Sequence, residues 1–219
     1  MPGLDFSVVF ENYHYLVQGT IWTIVLCGFS SILSIVGGIL LAVASLARNA
    51  PLRIATRFFL WLFMGTPLLL QLFLIYFALP VVGIYLSPMV SGILGLSIHY
   101  AAYNSDVIRA GITAVDRGQH EASRSLGLSR AQTMRKVIVP QALRYVTPAL
   151  GNGMISLLKE SALVSIITVP ELTLAAQRAI SETFRPFEFY AAAGVVYYGI
   201  NSILEIILRR IEMRVALAR

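Results

Sequence analysis

The chain has 219 residues, of which 57% are hydrophobic and only 13% charged, and its mean hydropathy is +0.75. That charged share is about half of what an ordinary soluble domain carries, which argues against a water-soluble fold and for a chain embedded in a membrane. The single cysteine, Cys27, lies in an apolar run, so no intrachain disulfide can form, and the +6 net charge has to be judged by where the charges sit.

A bilayer core is crossed by roughly 20 apolar residues of helix, so charge-free runs mark the spans. The first run predicts a span over 17–46. No Lys or Arg precedes it, and the basic flank of a signal peptide is therefore missing. The next run, 58–105, is too long for one helix; Pro80, Gly83 and Pro88 divide it into spans over 58–79 and 89–111. A charged segment, 112–146, follows. The fourth span is expected over 147–169, between Pro148 and Pro170, and the fifth over 189–208. The expected fold is an all-α membrane protein of five transmembrane helices in one domain. Gly37-Gly38 and the Gly151/Gly153 pair are read as places where helices pack closely.

Short loops rich in Lys and Arg stay in the cytoplasm. Three arginines lie in 48–57, seven Lys/Arg in 109–144 and four arginines in 209–219, all on one side if the N-terminus is outside. The other side holds only Arg178 and Arg185, beside five carboxylates. This sets the N-terminus outside and the C-terminus in the cytoplasm. The basic residues follow the inner membrane edge, where they favour anionic headgroups. They do not form one basic face with interleaved aromatics, so membrane lipid is an expected partner and nucleic acid is not.

The most charged part of the cytoplasmic segment is HEASRSLGLSRAQTMRKVIVP, residues 120–140. Residues 121–126 read as a short helix, with Ala122, Ser125 and Leu126 on one face and Gly127 where a left-handed cap belongs. A second helix starts at Ser129, with Gln132 as its capping-box partner, and Pro140 is expected to stop it. A solvated loop and a docking element for a soluble partner both fit this composition.

Within the fourth span, Lys159 and Glu160 place charges at mid-membrane, at roughly 2.5–3.5 kcal/mol each on insertion scales. Neighbouring helix positions point about 100° apart, so the two cannot neutralise one another. A structural ion pair with a snorkelling lysine and a carboxylate facing a substrate cavity both remain open. Asp106 and Arg109 read as an i, i+3 pair, and Glu205 with Arg209 as an anchor at the inner edge. Tyr197, Tyr198 and Asn201 bring polar handles into the fifth span. His14, His99 and His120 have no metal-ligand spacing, so no metal site is expected.

Several stretches resemble one family. Glu121-Ala122-Ser123, then Gly127, then Val137-Ile138-Val139-Pro140 is similar to the EAA motif of bacterial ABC-importer permeases, with Ser123 for the second alanine. Gly65-Thr66-Pro67-Leu68-Leu69-Leu70-Gln71 resembles a segment of the polar amino acid permeases. So do Ala102-Tyr103 through Asp106 and Arg109, Lys159-Glu160-Ser161-Ala162-Leu163, Val169-Pro170-Glu171-Leu172 and Arg185-Pro186-Phe187-Glu188. Met64 departs from the pattern, standing where that subfamily commonly has arginine.

The resemblance implies a type I ABC-importer fold in a bacterial inner membrane. It implies that Glu121, Ala122, Ser123, Ser125, Leu126 and Gly127 form a coupling helix docked in a cytoplasmic ATPase dimer. It implies a second permease subunit, identical or different, and an extracytoplasmic amino-acid-binding protein. A polar amino acid would pass along Thr66, Gln71, Tyr103, Asp106, Lys159, Glu160 and Ser161. The chain has no phosphate-binding loop of its own, so ATP is expected on the partner subunit and no cofactor or enzymatic activity on this one. A channel or secondary transporter would show paired repeats, and a membrane enzyme would show a catalytic constellation. Neither is present in the sequence.

Overall fold

The computed structural model describes residues 4–217, and no strand occurs among them. A short helix α1 (Ser7–Glu11) leads into α2 (Tyr13–Ser45), which is 33 residues long and the most apolar helix. Next come α3 (Ala50–Met64), α4 (Leu68–Phe73), α5 (Pro88–Thr113), α6 (Arg117–Ser125) and α7 (Arg130–Thr133). The chain ends with α8 (Val139–Glu160), α9 (Leu172–Thr183) and α10 (Pro186–Leu217).

Three helical stretches are long and apolar enough to cross a membrane: Tyr13–Ser45, Arg130–Ile167 and Pro186–Val215. The bent pair Ala50–Met64 and Leu68–Val82 is a fourth when counted as one span. Helix α5 is outside this set because it is the internal one. Its buried residues include Ser91, Ser97, His99, Asn104 and Ser105, and a helix enclosed by protein does not need an apolar surface all round.

The α2–α5 seam is built from small residues. Along α2 it buries Ser30, Ser31, Ser34, Gly38, Ala42 and Ser45. A Cβ at Gly38 would sit 2.7 Å from Asn104 Cβ, and one at Gly37 would sit 3.0 Å from Ala101 Cβ. These glycines therefore set the helix spacing. Asn104 Nδ2 donates to Ser34 Oγ at 3.2 Å across the seam. The Gly151 and Gly153 positions are looser, with ordinary contact distances of 3.5 and 3.4 Å. Apolar side chains left outside, such as Ile32, Leu40 and Val43 on α2 and Val195, Ile203 and Ile206 on α10, give these helices an apolar outer surface.

Three features depart from the sequence-based expectation. The second span is not straight: its two halves meet at 106°, at Gly65-Thr66-Pro67. Pro67 has no N–H to give Phe63 O, and Gln71 Nε2 supplies the missing bond at 2.8 Å while also donating to Thr66 O. Thr66 Oγ1 donates to Leu62 O in turn. The helix that holds the fourth predicted span begins well before Pro148, since it runs continuously from Arg130 to Ile167 and Pro140 does not stop it. A π-turn over Met134–Ile138 shifts the hydrogen-bond register just ahead of that proline, and Gln141 Nε2 covers Val137 O. The third departure is α9, a helix between the fourth and fifth predicted spans, where no element is predicted. Glu171 caps it, its carboxylate accepting from the N–H groups of Thr173 and Leu174. Gly19 lets it approach α2, because a Cβ there would lie 2.7 Å from Ala175 Cβ.

At the other end of the same region, Asp5 N–H donates to Glu188 Oε1 at 3.1 Å, tying α1 to the start of α10.

Candidate functional site: a charged elbow and a polar mid-span layer

The charged segment folds into a defined elbow. Asp116 caps α6 by accepting from Gly118 N–H at 2.7 Å. The helix closes with Gly127 at φ +74°, Gly127 N–H bonding Arg124 O and Leu128 N–H bonding Ser123 O. This double closure is the Schellman arrangement, whose left-handed position favours glycine. Two residues on, the Ser129 and Gln132 capping box is complete in both directions, at 2.8 and 3.3 Å. Gln141 Nε2 donates to Gln119 Oε1 at 3.1 Å, joining α6 to α8. Beneath lie buried Val115, Ile138 and Ala142.

The elbow thus holds its outer face in a fixed position. Leu126 is 80% exposed at its tip, and Glu121, Ala122, Ser125 and Gly127 are exposed too. Ser123 differs from its neighbours in the motif: it is buried, and its hydroxyl bonds Gln119 O at 2.7 Å. It supports the face rather than belonging to it. A cleft of about 300 Å³ opens between α6 and α7, with His120, Arg124, Arg130 and Met134 in its walls.

The mid-span polar residues divide around α8. Glu160 turns toward α5, where Tyr100 O–H donates to Glu160 Oε2 at 2.9 Å. Lys159 turns the other way, into a cleft of about 380 Å³ shared with Tyr197, Tyr198 and Asn201 of α10. The two charges are not an ion pair, as the helical spacing requires. Tyr103, 40% exposed, stands next to His99 with ring centroids 5.0 Å apart. Asp106 pairs with Arg109 one turn further along α5, in a cleft that also includes Arg57, Trp61 and Met64.

Three residues expected along the substrate path are committed to structure. Gln71 is buried, and besides repairing the break in the second span its Oε1 accepts from His99 Nδ1 at 3.1 Å. Ser161 is buried, with its hydroxyl on Leu158 O. Thr66 is half-buried and belongs to the same repair as Gln71. The structure thereby leaves Glu160, Lys159, Tyr103 and Asp106 as polar side chains with access to open space.

Sequence reasoning missed Tyr100 as the partner of Glu160, and His99 as the link between α5 and the broken span. His99, Tyr103 and Asp106 lie at i, i+4 and i+7, so the shared face was readable. Among the described residues, no group of three or more His, Cys, Asp and Glu could hold a metal ion.

The sequence profile of the binding-protein-dependent transport system inner membrane component family matches residues 34–217. The chain belongs to this family. It is 34% identical over 213 residues to the arginine transport system permease protein ArtQ of Bacillus subtilis (strain 168), covering 97% of each chain. It is 38% identical over 201 residues to the putative glutamine transport system permease protein GlnP of Rickettsia bellii (strain RML369-C), covering 91% of this chain and 92% of that one. A crystal structure of an amino acid ABC transporter with histidines contains a chain that superposes with a TM-score of 0.92 at 36% identity, over 97% of this chain and 99% of the other. In this inner membrane component, one continuous helical stretch, Arg130–Ile167, leaves the elbow directly after its Ser129 cap and carries Lys159 and Glu160 toward its other end.

Proposed function

We propose that this chain is the permease subunit of an ATP-binding-cassette importer carrying a polar amino acid across a bacterial inner membrane. The chain crosses the bilayer five times, with its N-terminus outside. It pairs with a second permease subunit, receives its amino acid from an extracytoplasmic binding protein and is driven by a cytoplasmic ATPase dimer that holds the ATP. The observation that carries this reading is the elbow at Gly127. Family membership supplies the context, and the two back-to-back caps supply a rigid element ending in an exposed leucine.

Mechanically, a push on α6 passes through Val115, Ile138 and Ala142 into the start of the long helix. That helix carries Glu160 and Lys159, so motion of the elbow is felt at the polar layer. Glu160 meets the ammonium or a cationic side chain of the amino acid, and Tyr100 keeps its carboxylate in place.

The test uses the complete importer in proteoliposomes, with arginine, glutamine and histidine as probes. ATP-dependent uptake of at least one is expected; uptake of none would overturn the reading. In the same preparation, Gly127→Pro and Glu121→Lys are expected to insert normally but lose most of the co-purifying ATPase, because proline cannot adopt the positive φ at position 127. Undiminished ATPase capture by both variants would remove the elbow from the coupling role.

A further inference from the structure

We propose that the cleft between α6 and α7 is a binding site for a phosphate group, held by Arg124, Arg130 and His120, which ties the two arms of the elbow together. The cleft measures about 300 Å³, at the lower end of the range for pockets that hold small ligands. Leu128, Thr133 and Met134 complete its walls. The inference goes beyond the importer reading and holds whichever amino acid is carried.

Charge is the first observation. Two guanidiniums and an imidazole line the cleft, and no carboxylate does. Glu121, next to His120 in sequence, lines the neighbouring cleft with Arg117, which His120 and Arg124 also border. Neither Arg124 nor Arg130 makes a side-chain hydrogen bond or ion pair among the described residues. Like charges around one cleft repel each other, and a cleft walled by one sign of charge concentrates its counter-ion.

The second observation is Thr133. It is only 5% exposed, it lines the cleft, and its hydroxyl has no hydrogen-bond partner among the described residues. Thr20, Thr56 and Thr147 all turn theirs onto the carbonyl four residues back. Buried polar groups of a native fold are normally satisfied, so this hydroxyl points to a partner from outside the chain.

A phosphate group answers the whole set. Its oxygens accept from both guanidinium forks, from an imidazole N–H and from the threonine hydroxyl. Arg124 belongs to α6 and Arg130 to α7, so one anion held by both replaces repulsion with a bridge. His120 and Arg124 share one face of α6, while Ala122, Ser125 and Leu126 occupy another. The site therefore does not require the face proposed for the ATPase. The phosphate is either free in solution or carried on a phospholipid headgroup; the chemistry at the arginines is the same.

The experiment uses the full-length chain in maltoside detergent, a phosphate-free medium, with binding followed by calorimetry. The probes are inorganic phosphate, acetate at matched ionic strength, and the short-chain phospholipid dihexanoylphosphatidic acid. Saturable binding of inorganic phosphate assigns the site to a free anion; binding of the phospholipid alone assigns it to a headgroup. Arg124→Gln and Arg130→Gln are each expected to weaken the ligand about tenfold, and Thr133→Val a few-fold. Arg135→Gln removes an exposed charge outside the cleft and should cost less than about twofold. The bound ligand should also raise the thermal unfolding midpoint of the wild type, and the midpoints of the unliganded variants separate lost binding from lost fold. Three results would overturn the site and leave the importer reading standing: no binding of phosphate or phospholipid, acetate bound as tightly as phosphate, or equal losses in Arg135→Gln and Arg130→Gln.

Discussion

Glu160 and Lys159 are adjacent in sequence, yet each answers to a different helix. Tyr100 is the hydrogen-bond donor to Glu160, and removing the charge need not remove that bond, since an amide oxygen accepts it equally well. Glu160→Gln is therefore expected to keep fold and ATPase assembly but lower amino acid uptake about tenfold, the scale of losing a charged partner in a desolvated site. Tyr100→Phe removes one orienting bond and should cost a few-fold at most. Uptake in proteoliposomes, normalised to co-purified ATPase, distinguishes them; a Glu160→Gln variant with wild-type uptake would make this carboxylate purely structural. The divergence of the two charges was legible from helical spacing alone. What each one faces was not, because Tyr100 and Asn201 come from helices 60 and about 40 residues away. Sequence also gave no reason to separate Ser161 from Glu160. The separation follows from the turn tightening after Glu160, which directs the Ser161 hydroxyl back to Leu158 O.

At the scale of elements, regular periodicity was readable and its interruptions were not. The Gly127 cap and the Ser129–Gln132 box are local, written in residues within five of each other, and the folded chain has both. Helix α9 was equally local: Leu172, Ala175, Ala176 and Ala179 follow helical spacing and form its buried face. Its length, 12 residues, is too short to register as a span, which is the only kind of element that charge-free runs mark. The break at Gly65-Thr66-Pro67 is different in kind, since proline alone signals either a stop or a kink. Gln71 decides the matter by bonding Phe63 O, eight residues back. Gln71→Leu would leave that carbonyl and His99 Nδ1 without their partner inside the bundle. A destabilisation of about 1–3 kcal/mol follows from an unsatisfied buried group, while Gln71→Glu keeps an acceptor for His99 but loses the donor. Both variants should lower the thermal unfolding midpoint of the purified chain, and an unchanged midpoint for Gln71→Leu would show that another group takes over Phe63 O.

For the whole molecule, orientation is governed by charge and coupling by geometry, and one measurement reads both. In the proposed topology fourteen Lys and Arg fall on the side that also carries the elbow, against Arg178 and Arg185 on the opposite side, a bias that would retain the elbow in the cytoplasm. Two exposed positions report on the two sides: Leu126 at the elbow tip and Phe184 just after α9, 80% and 84% exposed. With Cys27 replaced by alanine, single cysteines at these positions can be labelled by a membrane-impermeant maleimide. Leu126→Cys is expected to react only in inverted vesicles and Phe184→Cys only in intact cells or spheroplasts. If the elbow tip is also the surface gripped by the ATPase, co-expression of that subunit should slow labelling at position 126 by about tenfold, since a contact at the centre of an interface excludes solvent. Labelling at position 184 should not respond. Reaction of position 126 from outside would reverse the orientation. Reaction from inside at a rate indifferent to the ATPase would keep the orientation but place the grip elsewhere on α6.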